Sequence, residues 1–172
     1  MILTGNEIMR RMEAGQIEIK PFNPDNINPN SYDLTLAPKL LVYTSPVLNV
    51  RSNNPIKEIT IPKEGLILNP GELYIGSVNE FTRADGLVGV LYGKSSLGRL
   101  GIFIHVTAGF VDAGYAGNLT LELATVKPVM VYPGMKIGQI AYHEELGDAK
   151  PYQGKYQNDT SAQASKSYKD FK

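Results

Sequence analysis

Short runs in which apolar and polar residues alternate dominate this chain, and the period is two, the mark of strands with one face buried. The clearest begins at residues 31–36, Ser-Tyr-Asp-Leu-Thr-Leu. Further runs cover 59–61, 66–68, 73–78, 87–92, 102–106, 119–125, 129–132 and 136–142. Turn signals separate them, among them Asn28-Pro29, Asn53-Asn54-Pro55, Asn69-Pro70-Gly71, Asp112-Ala113-Gly114 and Pro133-Gly134. Helical spacing occurs only near the start. Thr4-Gly5-Asn6-Glu7 reads as a capping box, Leu3, Ile8 and Met12 supply an apolar side, and Gly15 is the stop. The pattern predicts a mainly β protein, a distorted double-sheet, jelly-roll-like barrel with one short N-terminal helix.

Length and composition narrow the function without naming it. The 172 residues predict one domain, able to build a core without disulfides or metal staples. Lys plus Arg equals Asp plus Glu at 17 each, so no global field attracts a nucleic acid polymer or an anionic membrane. Affinity for phosphate must therefore come from a local cluster. Cysteine is absent and there are two histidines, His105 and His143, which argues against zinc. No run approaches the roughly 18 apolar residues of a membrane span, and the first residues lack a signal-peptide layout. A cytoplasmic protein is the expectation.

Composition changes at Gly147. Residues 150–172 hold Lys, Ser, Gln, Asp and Tyr but almost no aliphatic residue, too little apolar surface to order alone. Two readings stand: a frayed tail, or a lid that closes over a ligand with Tyr152 and Lys155 as a stacking and phosphate-binding pair.

The candidate chemistry lies in three segments. Gly93-Lys94-Ser95-Ser96-Leu97-Gly98-Arg99 puts two cations, two hydroxyls and two glycines into seven residues, the means to hold a polyphosphate. Ser95 is placed to cap a helical turn there. The spacing is not that of a Walker loop. Thr107-Ala108-Gly109-Phe110-Val111-Asp112-Ala113-Gly114 brings an acid to a tight turn. In Leu119-Thr120-Leu121-Glu122-Leu123 alternation puts the leucines on one face and Thr120 with Glu122 on the other. Taken singly, Glu122 fits a solvated strand face, Asp112 a turn former and His105 a satisfied core imidazole. Their combination points to a nucleotide site.

These segments, with Asn28-Pro29-Asn30-Ser31-Tyr32-Asp33-Leu34, Pro133-Gly134-Met135-Lys136-Ile137-Gly138-Gln139, Pro151-Tyr152 and Lys155-Tyr156, closely resemble the dCTP deaminase family of the dUTPase-like superfamily. The resemblance runs through essentially the whole chain. It implies a homotrimer with sites at subunit interfaces, and hydrolytic loss of ammonia from C4 of dCTP to give dUTP. Magnesium would ride on the triphosphate, and no zinc would be used. Glu122 would be the general acid and base, with Ser95 and Arg99 framing the reaction. Lys94, Ser95, Ser96, Leu97, Gly98 and Arg99 would hold phosphates. Asp112 would meet the deoxyribose. Val106, Ala108, Thr120, Leu121, Glu122 and Gln139 would line the nucleotide, and Tyr152 with Lys155 would close over it. Such enzymes are commonly inhibited by dTTP.

Two positions depart from the family pattern. Lys94 stands where Arg is common, which keeps charge but loses bidentate geometry. Asp159 stands where Gln is usual; a carboxylate there would repel triphosphate, and whether the neighbouring Gln157 takes that role is left open by the sequence. Ala108-Gly109-Phe110 resembles the bifunctional subgroup that carries dCTP through to dUMP, the small Gly109 leaving room for a second water. A dUTP pyrophosphatase and a silent nucleotide-sensing module of the same superfamily are the competing readings. An intact Glu122 favours the deaminase.

Overall fold

The computed structural model describes residues 1–105 and 107–171; Val106, expected at the nucleotide, lies outside the described residues. Helix α1, Gly5–Glu13, starts as its sequence requires, with the Thr4 hydroxyl accepting the Glu7 N–H at 3.3 Å. The Glu7 carboxylate does not return to the cap. It pairs with Arg10 at 3.0 Å and Arg11 at 2.7 Å one turn on, where two cations outbid a single N–H. Gly15, at φ 74°, ends the helix, as expected.

The rest is mainly β. The alternating runs become β2 (Tyr32–Thr35), β4 (Ile56–Thr60), β5 (Leu66–Leu68), β6 (Tyr74–Ala84), β7 (Leu87–Gly93), β8 (Ile102–Phe103), β10 (Ala116–Thr125), β11 (Val129–Val131) and β12 (Lys136–Glu144). Three strands escaped the pattern. β1, Ile17–Lys20, has four residues; β3, Lys39–Tyr43, buries Leu40 and Leu41 in succession; β9, Phe110–Val111, exists through its pairing with β7. β8 is shorter than the expected 102–106. Its chain leaves the ladder at Ile104, whose carbonyl still accepts the Glu122 N–H at 2.8 Å.

Two sheets carry the fold. The larger runs β4-β3-β6-β10-β8, with β1 also on β6; the smaller runs β2-β12-β7-β9. A two-stranded ribbon, β11-β5, stands beside them. Val78, Leu121 and Leu123 from the larger sheet meet Leu34, Leu91 and Ile140 from the smaller in one buried cluster. Each such side chain contributes roughly 1.5–3 kcal/mol by leaving water. This is the curled double-sheet architecture that the alternation predicts.

β10 is the strand that matters for function. A bulge between Asn118 and Thr120 breaks its register with β6. Beyond the bulge Thr120 faces Ser77 and Glu122 faces Ile75 across the ladder. The Asn118 side chain fills the break, donating to the Val78 and Asn79 carbonyls at 3.1 and 3.0 Å. Its own N–H is thereby free to serve the C-terminal segment.

Candidate active site

Leu119, Leu121 and Leu123 of β10 are buried in the core, so Thr120 and Glu122 project from the opposite face. That face forms one wall of a cavity of about 430 Å³, also lined by Tyr43, Ile75, Ala108, Tyr115 and Asp159. A smaller cavity of about 160 Å³ adjoins it through Ala108, Tyr115, Thr120 and Tyr156, and reaches Asp112 and Tyr152. Ligand pockets commonly span roughly 300–1,000 Å³, so the pair suits a small polar organic molecule. Leu121, expected beside the ligand, is fully buried on the core side. Its side chain cannot take that role, because strand alternation turns it away.

Burial pushes the Glu122 carboxyl above the usual carboxylate range, against smaller lowering effects from His105 and its own backbone. A carboxyl so placed holds its proton more readily than an exposed one, as a group that must both accept and donate a proton requires. His105 is not the satisfied imidazole expected. Nε2 lies 2.9 Å from the Leu91 carbonyl, but Nδ1 is buried without a partner among the described residues. Gly109 is needed for this arrangement. A Cβ there would stand 2.8 Å from His105 Cε1 and 2.8 Å from the Leu91 carbonyl oxygen. The space beside Gly109 within this chain is thus taken by the His105 ring.

The turn at Asp112 serves as a platform for the C-terminal segment. Asp112 is exposed and its carbonyl accepts the Tyr115 N–H at 3.1 Å. Gly114, at φ 80°, lets the chain come close: a Cβ there would meet Pro151 Cβ at 2.6 Å. From that point the tail runs along the turn and β10. Tyr152 N–H donates to the Ala113 carbonyl at 2.8 Å, and Asn158 N–H to Ala116 at 2.8 Å. Asn118 N–H donates to the Asp159 carbonyl at 2.8 Å, and Gln163 N–H to the Thr120 hydroxyl at 3.2 Å. Backbone bonds and tyrosines do here what aliphatic side chains do in a core. Tyr152 packs edge-on against Tyr115 at 5.7 Å. Burial, then Asp159 and Tyr152, push the Tyr115 phenol up to about 12. Gln157 clamps the Gly114 carbonyl at 2.8 Å and the Ala116 N–H at 3.0 Å, so its amide is spent on holding the tail. Lys155 does not line either cavity; it pairs with Asp170, which raises its pKa further.

The phosphate-binding candidates sit elsewhere. β7 ends at Gly93, and helix α2 (Ser95–Gly98) follows at once. Lys94, not Ser95, occupies the N-cap position, without a side-chain cap. Its ammonium is drawn away by Asp33 at 2.5 Å. Ser95, Ser96, Gly98 and Arg99 are exposed, while Leu97 packs on the core. Asp33 also takes Lys136 at 3.2 Å and the Asn28 amide at 2.8 Å. Burial would raise the Asp33 pKa; the Lys94, Asn28 and Lys136 bonds outweigh it and hold it below the usual range. Gln139 ties the same corner together, accepting from the Ser31 hydroxyl at 2.7 Å and donating to the Gly93 carbonyl at 3.1 Å. Residues 94–98 and Gln139 line neither cavity at Glu122. Arg99 instead borders a groove with Lys127, Val129 and Met130. Sequence reasoning missed the partnership of Asp33, Lys136 and Lys94, because the bonds join three separate strands and loops.

Glu122 on a nucleotide-sized cavity, and a cation–hydroxyl turn displaced from it, are the two halves of the expected site. A family model for dCTP deaminase-like proteins matches residues 2–145. The chain belongs to the dCTP deaminase-like family. Curated relatives cover it end to end. The dCTP deaminase, dUMP-forming, of Hathewaya histolytica is 51% identical over 172 residues, 99% of this chain and 99% of that one. Its counterpart from Leptospira biflexa (strain Patoc 1 / Ames) is 48% identical, over 99% and 98%. Among solved structures, the 2′-deoxycytidine 5′-triphosphate deaminase from Agrobacterium tumefaciens superposes with a TM-score of 0.64 at 23% identity. That match covers 82% of this chain and 47% of the Agrobacterium chain, and it shows the shared fold of the deaminase-like family.

Among the described residues of this deaminase-like chain, no group of three or more His, Asp or Glu gathers where a metal could be held.

Proposed function

We propose that this protein is a dUMP-forming dCTP deaminase. The observation that carries the reading is Glu122, half-buried with a raised pKa on the wall of a cavity that suits a pyrimidine nucleoside. End-to-end relatives named for that activity support it. Glu122 takes a proton from water as its oxygen attacks C4 of the cytosine, and passes that proton to N3. It then takes the proton of the new C4 hydroxyl and delivers it to the amine, so the C4–N bond breaks, ammonia leaves and the C4 carbonyl of uracil forms. One carboxyl can serve both steps because burial brings its pKa toward neutrality. Asp112 meets the deoxyribose from the adjoining cavity, with Tyr152 closing that side. The room for a second water expected beside Gly109 is filled by His105 in its own subunit; Ala108, which lines both cavities, marks the side from which that water would reach the α-phosphate, releasing pyrophosphate and leaving dUMP.

The phosphate-binding half comes from a second copy of the chain. Lys94 to Arg99 are turned away from the Glu122 cavities of their own subunit, and the apolar Leu100, Phe103, Val126 and Met130 beside them are exposed. A homotrimer, with Lys94, Ser95, Ser96 and Arg99 of one subunit facing Glu122 of another, covers that surface and completes the site. Magnesium is carried on the triphosphate, which neutralises part of its charge. The decisive experiment is incubation with dCTP and magnesium followed by separation of dUTP, dUMP, pyrophosphate and ammonia. Ammonia, dUMP and pyrophosphate in equal amounts are expected. Release of dUMP from dUTP with no action on dCTP would make the protein a dUTP pyrophosphatase instead.

A further inference from the structure

Asp159 is the acid that sequence reasoning set aside as repulsive to a triphosphate, yet it lines the same cavity as Glu122. The structure gives it a partner. Lys166 Nζ lies 3.0 and 2.8 Å from the two Asp159 carboxylate oxygens. The same ammonium donates to the Lys155 carbonyl at 3.1 Å and sits 5.0 Å over the Tyr156 ring. Its three N–H donors and its cation face are all used within the tail. The Lys166 backbone N–H, in turn, donates to the Tyr156 hydroxyl at 2.9 Å. Both charged side chains are mostly covered, at 19% and 17% exposure.

We propose that Asp159 and Lys166 are a positioning pair for this reaction: their ion pair folds residues 155–166 into a closed loop and cancels the one tail carboxylate that faces the nucleotide. The inference rests on the activity proposed above. Three consequences of the geometry carry it. The loop fixes Tyr156, which lines both cavities, and the Lys155 backbone before it, through a lysine that lines neither. It also aligns Gln163 with Thr120 and Ser165 with the Tyr43 hydroxyl at 2.9 Å, two residues that line the cavity with Glu122. Finally, a carboxylate beside a tetra-anionic ligand is tolerable only if its charge is matched nearby, and Lys166 matches it at hydrogen-bond distance. An amide at position 159 would need no such partner. The carboxylate here and the cation seven residues on are two halves of one device.

The test compares wild type, Lys166→Met, Lys166→Arg and the double variant Asp159→Asn/Lys166→Met. Amide hydrogen exchange is measured without ligand, and dCTP saturation curves with magnesium follow. Lys166→Met, which strands the carboxylate, should raise KM for dCTP by about tenfold or more with kcat within about threefold. It should also speed exchange at Gln163 and Ser165. Lys166→Arg should stay near wild type. The double variant should recover most of the lost affinity, which a purely structural lesion would not. A Lys166→Met protein with KM and exchange within twofold of wild type overturns the proposal, and so does a double variant as poor as the single one. If wild type fails to turn over dCTP, the activity reading falls, while the exchange measurements still decide the pair.

Discussion

The Gln163 N–H donates to the Thr120 hydroxyl, 3.2 Å away and two residues from Glu122 on the same face of β10. The C-terminal segment therefore touches the strand that carries the proposed acid–base group. Its cover is part of what burial means for that carboxyl.

Deleting residues 150–172 should leave a folded oligomer with poor catalysis. The segment contributes hydrogen bonds and tyrosine contacts but no buried aliphatic core, so Tm should fall by only a few degrees. Turnover of dCTP should fall by at least about tenfold as water gains entry to the cavity. Scanning calorimetry, gel filtration and product assays on both lengths check this. Full turnover in the truncated protein would return the segment to a frayed end.

Glu122→Gln should abolish deamination, by at least about 10²–10⁴-fold, while binding persists, because the amide keeps size and hydrogen bonding but moves no protons. A stability signature should accompany it. The raised pKa means that the folded state favours the protonated carboxyl, so that stability is present in acid and lost as pH rises through the shifted pKa. The Gln variant lacks this loss. Its Tm should exceed that of wild type at neutral pH, and the gap should close below the usual carboxylate range. Melting curves across pH, with calorimetric titration of dCTP, measure both effects.

Asp33→Asn should act in the opposite sense. The Asp33 pKa is held down, so its stabilisation is present above the usual carboxylate range and lost as pH falls. Removing the charge should cost roughly 1.5–3 kcal/mol at neutral pH and little in acid, since it breaks charge-assisted bonds to Lys94 and Lys136. Freed from Asp33, Lys94 should hold phosphate less well in place, and KM for dCTP should rise severalfold. Denaturant melts at two pH values and saturation kinetics test the two halves.

Mixing inactive Arg99→Ala subunits with inactive Glu122→Gln subunits should restore activity. If each site takes Arg99 from one chain and Glu122 from the next, random trimers carry both groups at roughly a quarter of their sites. Unfolding and refolding the two variants together, then assaying ammonia, checks this. Activity no higher than in the separate variants would place both groups in one subunit.

Local chemistry by itself determined much of this protein. Period-two alternation gave nine of the strands, the Thr4 cap gave α1, and the turn residues marked their boundaries, because these depend on neighbours two to four positions away. Alternation also put Glu122 on the face opposite the leucines, and the seven residues after Tyr92 stood out as the phosphate-binding candidates. What tertiary structure decided is every pairing across distance. It tied Asp33 to Lys94 and Lys136, sixty-one and 103 residues from it, and set Ser95 inside the helix it was expected to cap. It gave Asp159 a counter-charge and laid an aliphatic-poor tail along β10 through backbone hydrogen bonds, which composition does not register. A side chain's partner is fixed by where two sheets and a tail meet in space, and charge, burial and pKa follow from that meeting rather than from the order of residues.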